Sequence, residues 1–307
     1  MCGGDASLCR FFILSFCTLK FKKYLSDFIF TPMTILESII ISVVEGLTEF
    51  LPISSTGHMV ITSSLFGIQH EQFTKLFEVS IQLGAILAVV AIYWRKFFDF
   101  SKGSFYLKLL VAVVPALVFG KLFDDIIDEK LGNPAFIAWM FIAGGIILLF
   151  VDRFFLKPTI DEEQKINYPK AFIIGLFQVL AIALPGISRS AATIIGGMSQ
   201  KLTRRLAAEF SFFLAVPTMA AATGYSLFLK DWNKGGVEEK GYELIISSSQ
   251  NITAFIIGNI VAFIVAMLAI KFFTGFLQKH GFRLFGWYRI ISGIILLLLI
   301  WQGVIKK

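Results

Sequence analysis

The 307-residue chain is poor in charge, in histidine and in cysteine. Its three cysteines, Cys2, Cys9 and Cys17, all fall in the first seventeen residues. The rest of the chain therefore has neither a disulfide framework nor thiolate metal ligands. Charged residues make up 16% of the chain and hydrophobic ones 56%, against roughly 25% and 45–50% in soluble domains. With 34 Phe and a mean hydropathy of +0.78, this composition excludes a water-soluble globular domain and indicates an integral membrane protein.

Uncharged stretches run over 79–94, 109–120, 131–151, 210–229, 244–270 and 290–305. With their flanks, most approach the roughly 20 residues that a helix needs to cross about 30 Å of hydrocarbon. The expected fold class is an all-α polytopic membrane protein with about six transmembrane helices. A net charge of +7 raises the question of nucleic acid. Lys and Arg, however, cluster in short loops between apolar segments, as in positive-inside topology, so no nucleic-acid partner is expected. Residues 1–32 read as an N-terminal appendage: the apolar run from Phe11 to Leu19, followed by Lys20, Lys22 and Lys23, is too short to span. Residues 33–307 read as one membrane domain, with Met33 looking like a natural beginning.

Two apolar segments are interrupted by polar residues and a proline. The first runs from Val44 through Glu45, Thr48, Glu49, Pro52, Ser54, Ser55 and Thr56 to His58. The second runs from Gln178 through Pro185, Gly186, Ser188 and Arg189 to Ser190. An ionisable side chain at bilayer depth costs about 2.5–3.5 kcal/mol on insertion scales, so these charges imply pairing with one another, with metal or with substrate. Glu45 and Gln178 each precede a proline by seven residues, and serines follow both prolines. Phe77-Glu78-Val79-Ser80 is echoed by Glu209-Phe210-Ser211, and Gly144-Gly145-Ile146-Ile147 by Gly293-Ile294-Ile295. These echoes divide the body into repeats of about 33–152 and 170–303.

Loop charge orients the repeats. Arg95, Lys96, Lys102 and Lys108 mark one loop as cytoplasmic, the mixed loop 121–130 lies outside, and Arg153, Lys157, Lys165 and Lys170 return to the cytoplasm. Lys201, Arg204 and Arg205 keep the second broken segment on that side, and Lys271, Lys279, Arg283 and Arg289 mark a further cytoplasmic loop. Three spans per repeat is odd, so the repeats are expected to have inverted topology. They would carry two broken re-entrant helix pairs whose tips meet near the midplane, where irregular backbone is tolerated.

The chemistry gathers at those tips. Glu45 and Glu49, at i and i+4, share a helix face with Cβ atoms about 6 Å apart, a spacing suited to one hard divalent cation, Mg2+ or Ca2+. A solvated pair is the structural alternative. Ser54, Ser55 and Thr56 can cap the following half-helix. His58, one turn on, reads as a general base or nucleophile rather than a satisfied core residue. Ser188, Arg189, Ser190 and Thr193 form an anion site at a helix N-terminus, where a guanidinium can hold phosphate bidentately; the alternative has Arg189 snorkelling to the surface. Glu78, Gln82, Gln178 and Glu209 are supporting candidates behind this set. His70 and His280 lie near loop ends and carry no assigned role.

These segments resemble the paired signatures of the bacterial undecaprenyl-diphosphate phosphatases, the bacitracin-resistance family. The resemblance extends through Phe77-Glu78-Val79-Ser80-Ile81-Gln82-Leu83-Gly84 and Glu209-Phe210-Ser211-Phe212-Phe213-Leu214-Ala215-Val216-Pro217, covering about residues 34–303. One departure is Ala191, where the family commonly has glycine. The resemblance implies a multi-pass enzyme of the bacterial inner membrane that hydrolyses a polyprenyl diphosphate lipid to the monophosphate, recycling the carrier for cell-wall synthesis. It implies Glu45 and Glu49 as the acidic motif, Ser55 and His58 as catalytic candidates and Arg189 as the phosphate-binding arginine. Membrane lipids surround such a protein, and a homodimer is compatible with this reading. The competing function is a secondary transporter or flippase of an anionic lipid or phosphate compound, because inverted repeats and broken helices are transporter architecture.

Overall fold

Each broken segment ends its first helix just ahead of a proline. The residue before proline is held out of the helical region, and proline itself offers no N–H. In the computed structural model, which describes residues 33–99, 103–123, 129–155, 157–234 and 237–305, α1 (Ile35–Thr48) stops before Pro52, and α2 (Ser55–Phe66) starts beyond it. Likewise α8 (Tyr168–Ala183) stops before Pro185, and α9 (Arg189–Ser199) follows. The appendage 1–32 with its three cysteines, Lys102 and residues 124–128 of the 121–130 loop lie outside the described residues.

Helix lengths separate these pairs from the spans. At 14, 12, 16 and 11 residues, α1, α2, α8 and α9 each rise no more than about 24 Å, short of the roughly 30 Å hydrocarbon layer. Six other units are long and apolar enough to cross: α3 (Gln72–Ser80) continued by α4 (Gln82–Ile92), α6 (Gly103–Leu122), α7 (Pro134–Phe154), α10 (Arg204–Phe228), α12 (Ser249–His280) and α13 (Arg283–Trp301). The six-span expectation and the all-α polytopic class hold. Short elements among the described residues are α5 (Trp94–Phe97), a 3-10 turn (Glu163–Lys165), a two-stranded antiparallel hairpin of β1 (Asp231–Lys234) and β2 (Val237–Lys240), and α11 (Gly241–Ile246).

Local chemistry sets the helix starts. Thr34 and Glu37 form a capping box on α1, the Asn133 side chain accepts from the N–H groups of Ala135 and Phe136 ahead of Pro134, and Thr203 and Ser248 cap α10 and α12. The packing is reciprocal between the two halves. Helix α1 lies on α12, α8 lies on α6, and α7 lies along α13. Two glycines allow the closest approaches: a Cβ on Gly46 would stand 2.8 Å from the Val265 Cβ, and one on Gly175 would collide with the Ala112 carbonyl. Small residues at such crossings are how helices pack without a hydrophobic drive between them and lipid.

Polar contacts group the ends of the bundle. Asp152 forms an ion pair with Arg204 and accepts from the Phe282 N–H, and Lys96 pairs with Glu163, beside Lys108, which donates to the carbonyls of Glu163 and Gln164. An extended contact between Ile160 and Leu202 joins the base of the α8–α9 hairpin to the 157–165 loop. Leu76, Trp232 and Leu244 form a separate small cluster where α3 begins and α10 has ended.

Several charges read as loop charges lie inside helices, among them Lys108 in α6 and Lys271 in α12. Arg289, read in sequence as part of a cytoplasmic loop, lies inside α13 and is fully buried, because the apolar pattern from Arg283 to Trp301 continues through it as helix.

Candidate active site

The tips of the two hairpins meet. Each turn places a serine in the left-handed region just ahead of the second half-helix, Ser54 at φ 72° and Ser188 at φ 80°, a conformation that L residues hold only where the surroundings enforce it and that concentrates at functional sites. From the second tip, Ser190 donates its hydroxyl to the Phe50 carbonyl of the first at 2.8 Å.

Beside that tie, Glu49 joins both tips through one carboxylate. Its Oε1 accepts from the Arg189 guanidinium at 2.9 Å, and its Oε2 accepts from the Ser55 hydroxyl. All three residues are largely withdrawn from solvent, with the Arg189 and Glu49 side chains 14% and 3% exposed. Arg189 also donates to the Ser211 carbonyl at 3.2 Å, and its Nε has no partner. Thr193 bonds the Ser211 hydroxyl at 2.6 Å and donates to the Arg189 carbonyl at 2.9 Å, so the start of α9 is braced against α10. Ser188 caps α9 by accepting from the Ala191 N–H.

Glu45, one turn before Glu49, is completely buried, and neither of its oxygens receives a hydrogen bond. A buried carboxylate without a partner is costly, and that orphaned pair of oxygens fits a hard cation. Among the described residues no three acidic, histidine or cysteine side chains converge on a metal position. Glu45 and Glu49 are the residues that would hold such a cation.

His58 faces elsewhere. Its Nδ1–H donates to the Ser54 carbonyl at 2.7 Å, which fixes the tautomer and leaves Nε2 to accept from the Tyr288 hydroxyl at 2.8 Å. The His58 and Tyr288 rings are stacked at 5.7 Å, and the Phe141 ring is tilted against the imidazole at 5.1 Å. Thus Ser55, Glu49 and Arg189 form one bonded chain, while the bonds of the imidazole run to Ser54 and Tyr288.

The supporting candidates disperse. Glu78 is buried on α3 with Oε1 unpartnered. Gln178 joins α8 to α10 by donating to the Thr218 hydroxyl at 3.2 Å. Gln82 opens α4, and Thr56 sits in the first turn of α2, both partly exposed. Glu209 pairs with Arg205 at 2.9 Å and lines a cavity of about 700 Å3 with Asp152, Asp161, Thr203 and Arg204, a lining that shares no residue with the Glu49 chain. Sequence reasoning passed over Ser211, Tyr288 and Arg289 as site residues. For Arg289 a signal existed: it stands in the run Trp287-Tyr288-Arg289-Ile290-Ile291, where an arginine has no water to reach.

The chain is 56% identical over 268 residues to the undecaprenyl-diphosphatase of Flavobacterium johnsoniae, covering 87% of this chain and 96% of that one. It is 48% identical over 288 residues to the enzyme of the same name from Porphyromonas gingivalis, covering 89% and 99%, and 45% identical over 273 residues to that of Bdellovibrio bacteriovorus, covering 88% and 98%. The family model described as bacitracin resistance protein BacA matches residues 38–295, so the chain, whose two proline-broken tips carry Glu49, Ser55 and Arg189, belongs to that family.

Proposed function

We propose that this protein is an undecaprenyl-diphosphate phosphatase of the bacterial inner membrane, hydrolysing the lipid diphosphate to undecaprenyl phosphate and inorganic phosphate. Its product is the carrier for peptidoglycan synthesis, and its activity confers bacitracin resistance. The observation that carries the reading is the single carboxylate of Glu49, bonded to a hydroxyl on one side and a guanidinium on the other. A nucleophile, a base and an anion anchor in one bonded chain is the equipment of phosphoryl transfer.

In the proposed reaction Arg189, with the free N–H groups at the start of α9, holds the terminal phosphoryl group. Ser55 Oγ attacks the terminal phosphorus and passes its proton to Glu49. The bridging P–O bond breaks, and undecaprenyl phosphate leaves. Water then hydrolyses the phosphoserine, releasing inorganic phosphate, and the proton held by Glu49 returns to Ser55 Oγ. Buried Glu45 and Glu49 are the residues that would hold Mg2+ or Ca2+, which when bound would offset charge on the phosphate oxygens. His58 and Tyr288 flank this chain and orient the first turn of α2. Glu78, Gln82, Gln178 and Thr56 support the walls.

The inverted arrangement of two repeats is part of the same proposal. It is supported by the reciprocal packing of α1 on α12 and α8 on α6 and by the left-handed serine at the same place in both turns.

The test is phosphate release from a prenyl diphosphate by the purified full chain in detergent. Release by the wild type that is lost in Ser55→Ala supports the reading. Absence of release together with transport of the lipid in vesicles would replace it with the flippase function.

A further inference from the structure

Arg289 is the largest fully buried side chain among the described residues, and its surroundings are unusual for a charge. All five of its N–H groups go to backbone carbonyls. Nη1 donates to Ile187 at 2.6 Å and Pro52 at 3.3 Å, Nη2 to Gly186 at 2.7 Å and Met140 at 2.9 Å, and Nε to Phe141 at 3.4 Å. No carboxylate is among these partners. Pro52 belongs to the first broken turn, Gly186 and Ile187 to the second, and Met140 and Phe141 to α7. Space for the guanidinium exists because residue 144 is glycine, where a Cβ would collide with Nη2.

We infer that Arg289 is the positioning residue that locks the two re-entrant tips in register, so that Ser55 on one tip and Arg189 on the other face a single phosphoryl group. This inference rests on the phosphatase reading for its kinetic consequence but not for its structural one. The forces involved are direct. Broken turns in a membrane expose carbonyls that no water reaches, and a planar five-donor cation can satisfy both turns at once with fixed angles, as an ammonium cannot. The nucleophile and the anion anchor stand immediately beyond the clamped residues, and a misplacement of about 1 Å at a reacting centre costs on the order of 10²-fold in rate.

The test combines kinetics with a distance measurement on the full chain in nanodiscs, in a background where Cys2, Cys9 and Cys17 are replaced. Spin labels at exposed Leu47 and Leu180 report the separation of α1 from α8 near their tips, and labels at exposed Leu110 and Ile264 report that of α6 from α12 as a control. Arg289→Lys keeps the charge and loses the fork. The expected result is a broadened Leu47–Leu180 distance distribution, an unchanged Leu110–Ile264 distribution and a fall in kcat of about 100-fold with KM changed by less than about threefold. Gly144→Ala, which retains Arg289 and displaces its guanidinium, is the second variant and should act in the same direction if Arg289→Lys does not insert. Unchanged tip distances in both variants would overturn the inference whatever the activity, and so would broadening of both label pairs, which would make Arg289 a support of the whole bundle. Loss of tip register in a protein that releases no phosphate would leave the positioning role standing and remove the phosphatase reading.

Discussion

Arg189 and Glu49 come from opposite halves of the chain, 140 residues apart in sequence, and meet at 2.9 Å inside the protein. A guanidinium so placed cannot be snorkelling to the cytoplasm, and the carboxylate it meets is the one that accepts from Ser55. Removing one partner of a buried pair leaves an uncompensated charge, at a cost of about 3–5 kcal/mol, so site and stability are coupled here.

Arg189→Lys retains the charge and gives up the planar fork that can span two phosphate oxygens. The expected outcome is a fall in kcat/KM of about 10²-fold or more in a protein that remains monodisperse. Kinetics within a few-fold of wild type would mean that Arg189 serves only as the partner of Glu49.

The serine and histidine variants should differ in the reverse order to that expected from sequence. Both residues fit the spacing, and the ordinary pKa of histidine, about 6.5, favoured His58 as base or nucleophile, yet its ring bonds go to Ser54 and Tyr288, whereas Ser55 shares a hydrogen bond with a carboxylate. Ser55→Ala should abolish turnover, and His58→Ala should retain measurable turnover. Steady-state phosphate release from both variants checks this, and residual activity in Ser55→Ala above that of His58→Ala would return the chemistry to the histidine.

Glu45 has two buried oxygens without donors, and a divalent cation shared with Glu49 is the proposed counter-charge. Glu45→Gln should lower turnover by about 10²–10³-fold, and treatment of the wild type with a chelator should do the same, reversibly on adding Mg2+ or Ca2+. Full activity after exhaustive chelation would contradict the metal role.

The α8–α6 contact predicts a stability difference between two glycines. Gly175→Ala pushes a methyl group into the Ala112 carbonyl and should destabilise by about 1–3 kcal/mol, as overpacking does. Gly120→Ala, whose Cβ would meet nothing within 4 Å, should leave the thermal midpoint unchanged or slightly raised. Equal midpoints for the two variants in the same detergent would show that the helices separate freely.

Much of the fold was legible because the membrane simplifies the code. Apolar length set the six spans, and Pro52 and Pro185 marked the breaks. Glu45, Glu49 and Arg189 stood out because ionisable groups are costly there, and Ser55 because it follows the break as a capping hydroxyl. Arg289 was misread for a physical reason: a loop charge and a buried charge look alike next to Arg283 and Lys279 unless the flanking Tyr288 and Ile290 are given equal weight. The direction of the His58 ring was not legible, since sequence spacing fixes a helix face but not which of two neighbours, Ser55 or Tyr288, the side chain turns toward.

The most direct measurement of the central claim is a rapid quench of the purified enzyme with a prenyl diphosphate labelled in its terminal phosphorus. Attack by Ser55 with proton transfer to Glu49 predicts acid-stable phosphoserine at residue 55, formed within the first turnover, absent in Ser55→Ala and greatly slowed in Glu49→Gln. Acid-labile phosphohistidine on His58, or phosphate release by Ser55→Ala at the wild-type rate, would contradict it.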